Sequence, residues 1–348
     1  MVKPNIVITM GDAAGIGAEI TVKALNNKGL YERCVPVVYG DYAAMQDSLE
    51  FTGINLNLNL VKNASQARGQ YGLIDLVDFG LLRKGDWEYK KVNAKTGNAA
   101  FLYVKSAIEN TMAEEYDAIV TGPINKEAIN LAGHHYSGHT EILADLSKTS
   151  GYGMLLSCNK LNVIHVTTHV SMEEACRRIT KKRVYDVIHL ALLAMRLLGK
   201  ENPRIAVAGF NAHCSENGLF GTQEADAIIP AVELARAEGL LVDGPIPPDT
   251  VFVKAISGKY DIVVAMYHDQ GHIPLKLVGF KMDASTNTYS SMSGINCTIG
   301  LPFVRTSVDH GTAFGKAGDN RANEGSLAEA LDAAIVMSAN MRKLPRPI

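Results

Sequence analysis

The sequence predicts an α/β protein built on a mostly parallel sheet, and three observations predict it. Apolar runs of four to seven residues alternate along the chain with longer segments of helical period, the pattern of repeated strand–helix–strand units. With 348 residues, 47% of them hydrophobic, the chain is long enough for two domains that each bury a sizeable core. Three of the apolar runs close on a histidine, NVIHVTTH at His169, RIAVAGFNAH at His213 and DIVVAMYH at His268. In open α/β sheets, functional groups collect beyond the carboxyl ends of the strands, which is where these imidazoles fall.

Taken in order, the first strand is expected over 6–9, and MGDAAGIGAE joins it to a helix over 19–25. Glycines at that position let backbone amides approach a phosphate or carboxylate. A dinucleotide fingerprint does not fit, because from Gly15 the GxGxxG register requires glycine where Ile20 stands. A tight turn without a ligand and a ligand loop are equally compatible with the stretch. A strand over 36–39, a helix over 99–115 and a strand over 118–121 follow. In TGPINKEAI, Pro123 ends the strand, Asn125 suits an N-cap and Lys126 opens a helix over 126–132. A lysine there opposes the helix dipole, which points to an anionic ligand. Gly138, His139 and Thr140 then offer an imidazole and a hydroxyl suited to a phosphate or carboxylate.

Strands are expected over 161–166, 205–209 and 262–266, and helices over 172–181, 184–198, 225–237 and 327–342. Ser171 ahead of Glu174 is a capping-box signature, and Gly199 stops the helix before it. The polar segment KMDASTNTYSSMS, 281–293, has neither period and reads as a loop. A loop of that length in a compact α/β protein is more often functional than accidental.

Composition narrows the function. A net charge of -2, from 34 Lys+Arg against 36 Asp+Glu with no dense basic block, argues against nucleic acid as a partner. No secretory leader is visible, and the longest apolar stretch, 187–198, contains His189 and Arg196 and is too short to span a bilayer. A cytoplasmic protein without a membrane partner is expected. The five cysteines lack CxxC spacing, against a disulfide framework or a thiolate zinc site.

Chemistry concentrates around the histidines. Three imidazoles with positions left open for substrate suit zinc, or a harder divalent ion if Asp269 or water joins them. In YHDQGHIPLK, Asp269 can orient His268, accept a proton or anchor a substrate hydroxyl. Asp249 follows Pro247 and Pro248 in a rigid turn, for which plain turn chemistry is the simpler reading. Asn296 and Arg305 flank GLPF, and a lysine and an arginine aimed at one pocket, Lys276 and Arg305, imply an anionic substrate. A metal hydrolase with Asp269 as base is a rival reading, weakened by the absence of the carboxylate-rich ligand set that two-metal phosphatases use. A non-catalytic phospho-acid binding protein is the third.

The runs MGDAAGIGAE, TGPINK, SGHTE, TTH, NAH, PPDT, YHDQG and GLPFVRTSVDHGTAF stand in the order expected of the 4-hydroxythreonine-4-phosphate dehydrogenase family, which the chain resembles over nearly its whole length. The resemblance implies two α/β/α domains of the isocitrate/isopropylmalate-dehydrogenase type, 1–135 with 300–348 and 136–299, with the active site in the interdomain cleft of a homodimer. It implies a divalent metal (Zn, Mg, Mn or Co) on His169, His213 and His268, the last contributed to the other subunit's site. It further implies a phosphorylated acid substrate held by His139, Thr140, Asp249, Asp269, Lys276, Asn296 and Arg305, and NAD or NADP held without a Rossmann fingerprint. Asp269 and Lys126 are then the candidates for proton transfer during oxidation of the C3 hydroxyl and decarboxylation of the β-keto acid. The vitamin B6 biosynthetic members usually read NPHAGE where this chain has NAHCSENGLFG, and leucine where it has His272. SENGLFG and HDQGHIPLK look more like the branch that oxidises D-threonate or D-erythronate 4-phosphate, and a third departure, the insertion ending near Ser293, stands between the lysine and asparagine contacts.

Overall fold

A computed structural model of the chain describes residues 2–158, 161–283 and 288–344. The chain divides into two compact units, Met1–Ser150 with Leu301–Ile348, and Gly151–Gly300. In the first, β1 (Asn5–Thr9), α1 (Gly17–Leu25), α2 (Lys28–Arg33), β2 (Val35–Gly40), α3 (Tyr42–Thr52), β3 (Asn57–Leu60) and β4 (Leu73–Asp78) precede α4 (Ala94–Met112). β5 (Ala118–Thr121), α5 (Lys126–Leu131) and α6 (His139–Leu146) follow. The second unit runs β6 (Gly153–Cys158), β7 (Leu161–His165), α7 (Met172–Arg178), α8 (Lys181–Leu197), β8 (Ile205–Ala208), α9 (Ile229–Ala237), β9 (Val242–Ile246) and α10 (Pro248–Ile256). It continues through β10 (Ile262–Ala265), α11 (His268–Gly279), β11 (Phe280–Asp283), β12 (Thr288–Met292) and β13 (Ile295–Ile299), after which β14 (Val304–Val308) and α12 (Gly325–Met341) complete the first unit.

The first unit's strands lie in the order β3-β4-β2-β1-β5-β14, all parallel. The second unit's order is β13-β6-β7-β10-β8-β9, parallel from β7 to β9 and antiparallel at β13-β6 and β6-β7. The predicted mostly parallel α/β fold is therefore what the chain forms. β5, β8 and β10 are buried at every position, which is why AIVT, IAVA and IVVA are apolar throughout rather than alternating. In the second unit Leu161, Val163, Ala206, Ala208, Val263 and Ala265 pack with Val251, Phe252 and Leu275 from α10 and α11. Helix starts follow the side chains suited to them: Asn125 accepts from the Ala128 amide, Ser171 from Glu174 and Thr180 from Arg183.

One segment differs from expectation, and one helix stands where the sequence suggests no element. Residues 281–293 were expected to be a loop. Instead β11 and β12 pair as an antiparallel ribbon, with a register irregularity between Lys281 and Met282, and 284–287 lie outside the described residues. Polar Ser/Thr-rich sequence can form such a ribbon because antiparallel pairing closes the backbone hydrogen bonds without an apolar run. The helix α11 also starts directly at His268, although HDQGHIPLK carries glycine and an internal Pro274. As for the glycine-rich turn, a Cβ at Gly17 would lie 2.1 Å from the Met10 carbonyl oxygen, so close packing against the chain's own strand accounts for that glycine.

Candidate active site

The parallel ladder sets where the three strand-end histidines can stand. β10 lies between β7 and β8, with Ala265 opposite His165 and Val264 opposite Val207, so all three chains leave the sheet at the same edge. His268 follows the central strand; His169 and His213 follow its two neighbours. Thr167 binds the loop after β7 to the end of β10 through its amide and hydroxyl, which both donate to the Met266 carbonyl at 3.2 and 2.8 Å. The rings of His169 and His268 come to 5.6 Å between centroids. His213 is not gathered with them: among the described residues no three His, Cys, Asp or Glu side chains stand close enough to hold a metal ion.

Each residue of His268-Asp269-Gln270-Gly271 has a separate structural task. His268 Nδ1–H donates to Asp269 Oδ1 at 2.6 Å, which leaves Nε2 as the lone-pair nitrogen. That hydrogen bond, with the positive side chains near it, holds the exposed Asp269 carboxyl below the usual carboxylate range. A carboxylate so held is a weak proton acceptor and a good orienting group. Gln270, buried, accepts from the Met266 amide at 2.6 Å and donates to the Gly209 carbonyl at 2.8 Å, so it stitches the end of β10 to the end of β8. A Cβ at Gly271 would lie 2.3 Å from His165 Nε2, so only glycine lets α11 pack on that ring. His165 is fully buried and its Nδ1 lies 3.2 Å from the Met154 carbonyl. Burial, with His272 beside it, pushes His165 down to about 3, and burial pushes His272 down to about 4, so both rings are neutral near pH 7.

The loop bearing His213 is held from beneath by a carboxylate. Glu224, 1% exposed, accepts from the amides of Phe210 and Asn211 at 2.8 and 2.7 Å and from the Asn211 side chain at 2.8 Å. From His213 to Asn217 five successive residues without a glycine have positive φ. Such backbone is costly for L residues and persists where its surroundings over-determine it; here the Cys214 amide donates to the Asn211 carbonyl and the Gly218 and Phe220 amides to the Ser215 carbonyl, on the Asn211 that Glu224 fixes. Asp249, in the first turn of α10, is close enough to Cys214 to add its negative charge to the burial that raises the thiol to about 11.

The first unit holds a cationic cluster. Asn125 caps α5 so that Lys126 is its first residue, and His139 is the first residue of α6. The lysine side chain runs past Gly138, whose Cβ would lie 3.6 Å from Lys126 Cε. His139 Nε2 is shut off from solvent and has no hydrogen-bond partner. Burial first, then the charges of Arg305 and Lys126, hold this imidazole well below the usual range. Arg305, 2% exposed in β14, donates to the Thr121 hydroxyl at 2.7 Å. A buried guanidinium, an ammonium and a neutral imidazole with an unused nitrogen form a set suited to a phosphate. Asp12, which the sequence reading passed over, is fully buried beside the Pro123 turn. Burial raises its carboxyl, and Oδ2 has no hydrogen-bond partner.

The predicted site residues thus fall in two groups. Lys126, His139, Thr140 and Arg305 belong to the first unit; His169, His213, Asp249, His268, Asp269, Lys276 and Asn296 belong to the second. Lys276 Nζ lies 5.6 Å over the Phe280 ring, and Asn296 sits within β13 opposite Leu156. Glu224, Gln270 and Asp12 were not among the candidates. Their only sequence signal is an acidic or amide residue near a strand-end motif. No helix among the described residues is long and apolar enough to cross a membrane.

Residues 32–334 match the family described as pyridoxal phosphate biosynthetic protein PdxA. The chain is 46% identical over 329 residues to a D-threonate 4-phosphate dehydrogenase of Cupriavidus necator, covering 94% of this chain and 95% of the other. It is 45% identical over 336 residues to the D-threonate 4-phosphate dehydrogenase of Salmonella typhimurium, covering 96% and 99%. A crystal structure of a 4-hydroxythreonine-4-phosphate dehydrogenase from Burkholderia phymatum superposes with a TM-score of 0.82 at 43% identity, covering 97% and 99%.

Proposed function

The chain belongs to the PdxA family of pyridoxal phosphate biosynthetic proteins, and we propose that it oxidises a 4-phosphorylated four-carbon hydroxy acid, D-threonate 4-phosphate in the first place. The observation that carries this reading is its near full-length likeness to D-threonate 4-phosphate dehydrogenases of two bacteria, which supports that substrate over 4-phosphooxy-L-threonine. D-erythronate 4-phosphate differs from it in configuration alone and is the next candidate.

The residue types suit a divalent ion: three imidazoles follow neighbouring strand ends and Asp269 engages the Nδ1 of His268, although among the described residues of one chain no three such side chains stand together. Zinc, magnesium, manganese or cobalt held by the three histidines would supply Lewis acidity at the C3 hydroxyl and, after oxidation, an electron sink for the departing carboxylate. The phosphoryl group is received by Arg305, Lys126, His139 and Thr140. Asp269 orients His268 and, being exposed, passes the proton released from the C3 hydroxyl on to water rather than keeping it. NAD or NADP, when bound, would supply the two-electron acceptor for the hydride on C3, so that oxidation gives a β-keto acid. Loss of CO2 from that acid breaks the C1–C2 bond, and a proton added at C2 leaves a three-carbon keto phosphate. The resemblance adds a homodimer in which His268 serves the partner's site.

Purified protein incubated with divalent metal, NAD or NADP and D-threonate 4-phosphate is expected to form reduced nicotinamide and one CO2 per turnover. No reduction with any four-carbon phosphate and either cofactor would overturn the dehydrogenase reading. Phosphate release without cofactor would instead support a hydrolase.

A further inference from the structure

We infer that His272, seated on the buried His165, is a positioning residue that fixes the ring plane of His268. The inference rests on reading His268 as a metal ligand. His272 lies one helical turn after His268 on α11, and the two rings stack with centroids 3.6 Å apart and planes 13° from parallel. His272 Nδ1–H also donates to the His268 carbonyl at 2.9 Å, so the ring that supports His268 is itself fixed to the backbone that carries His268. Beneath it lies His165, 4.8 Å from His272 between centroids and tied to the Met154 carbonyl. The result is a column of rings from the sheet interior to the strand-end edge.

Two observations give the column a role beyond filling space. Apolar residues of the same volume would suit so dry a place better, because burying polar nitrogens costs stability unless each is hydrogen-bonded. His165 Nε2 is shielded from water and has no hydrogen-bond partner. The hydrogen bond from the His268 ring to Asp269 is a weaker restraint, because the Asp269 side chain is 70% exposed and water competes for that bond. A hydrogen bond at Nδ1 fixes rotation about the ring's own axis poorly if the ring can tilt, and a flat neighbour removes the tilt. His268 is thereby held ready before any ligand arrives.

The test is a Co(II) titration of wild type, His272→Leu and His272→Phe, read from the visible absorption of bound Co(II), with thermal unfolding of each. His272→Leu is expected to bind Co(II) about tenfold or more weakly than wild type while remaining folded. His272→Phe, which keeps a flat ring but not the Nδ1 bond, is expected to stay within about threefold. Wild-type affinity in His272→Leu, or equal losses in both variants, would overturn the inference. Failure of the wild type itself to bind Co(II) would overturn the reading of His268 as a ligand, a different outcome from the first two.

Discussion

His169→Ala is expected to lower kcat/KM for D-threonate 4-phosphate by about a thousandfold or more while the protein remains folded. Lewis-acid stabilisation of developing charge is worth several kcal/mol, and each 1.36 kcal/mol is a factor of about ten in rate. His169 is exposed, so its loss removes almost no packing, and Tm is expected to stay within about 2 °C of wild type. A chelator should reproduce the loss in the wild type, and added divalent metal should reverse it there but not in the variant. Mixing His169→Ala with His268→Ala protein under subunit exchange then tests sharing. If His268 serves the partner's site, up to about a quarter of the sites regain a full set, by the geometry of a two-fold dimer. If one chain supplies both rings, which already lie 5.6 Å apart, none do.

Arg305→Met is expected to raise KM for the phosphorylated acid roughly 10- to 100-fold, with a smaller effect on kcat. A hydrogen bond to a charged group contributes about 1.5–3 kcal/mol, and 1.4 kcal/mol is tenfold in affinity. Methionine keeps most of the volume at a site 2% exposed, so packing loss is limited, whereas Thr121 loses the donor that holds its hydroxyl. Arg305→Lys is expected to recover little, because an ammonium cannot reproduce the planar two-point contact of a guanidinium. An unchanged KM in Arg305→Met would remove Arg305 from the phosphate site.

The parallel core and the strand ends were legible because burial on both faces leaves no polar option. β8 and β10 read as IAVA and IVVA, and the residues that follow them carry the histidines. The caps at Asn125 and Ser171 were legible because one side chain accepts from an amide three residues on. Edge strands were not: β3 is NLNL and partly exposed, and β9 contains Gly244 and Pro245, so neither shows the apolar run of a central strand. Positioning contacts were also beyond the sequence, for a different reason. His165 and His272 meet through the packing of α11 on β7, and Glu224 reaches the amides of Phe210 and Asn211 across a loop. No local pattern encodes such pairs. The motif HDQG shows the limit well: His268 and Asp269 were recognisable by chemistry, but the tasks of Gln270 and Gly271 exist only once β8 and His165 are in place.

The most direct test of substrate and chemistry together is a comparison of kcat/KM for D-threonate 4-phosphate, D-erythronate 4-phosphate and 4-phosphooxy-L-threonine under one set of metal and cofactor conditions, with reduced nicotinamide and CO2 followed in parallel. D-threonate 4-phosphate is expected to lead, with one CO2 released for each nicotinamide reduced. A preference for 4-phosphooxy-L-threonine, or reduction of the cofactor without release of CO2, would contradict the assignment.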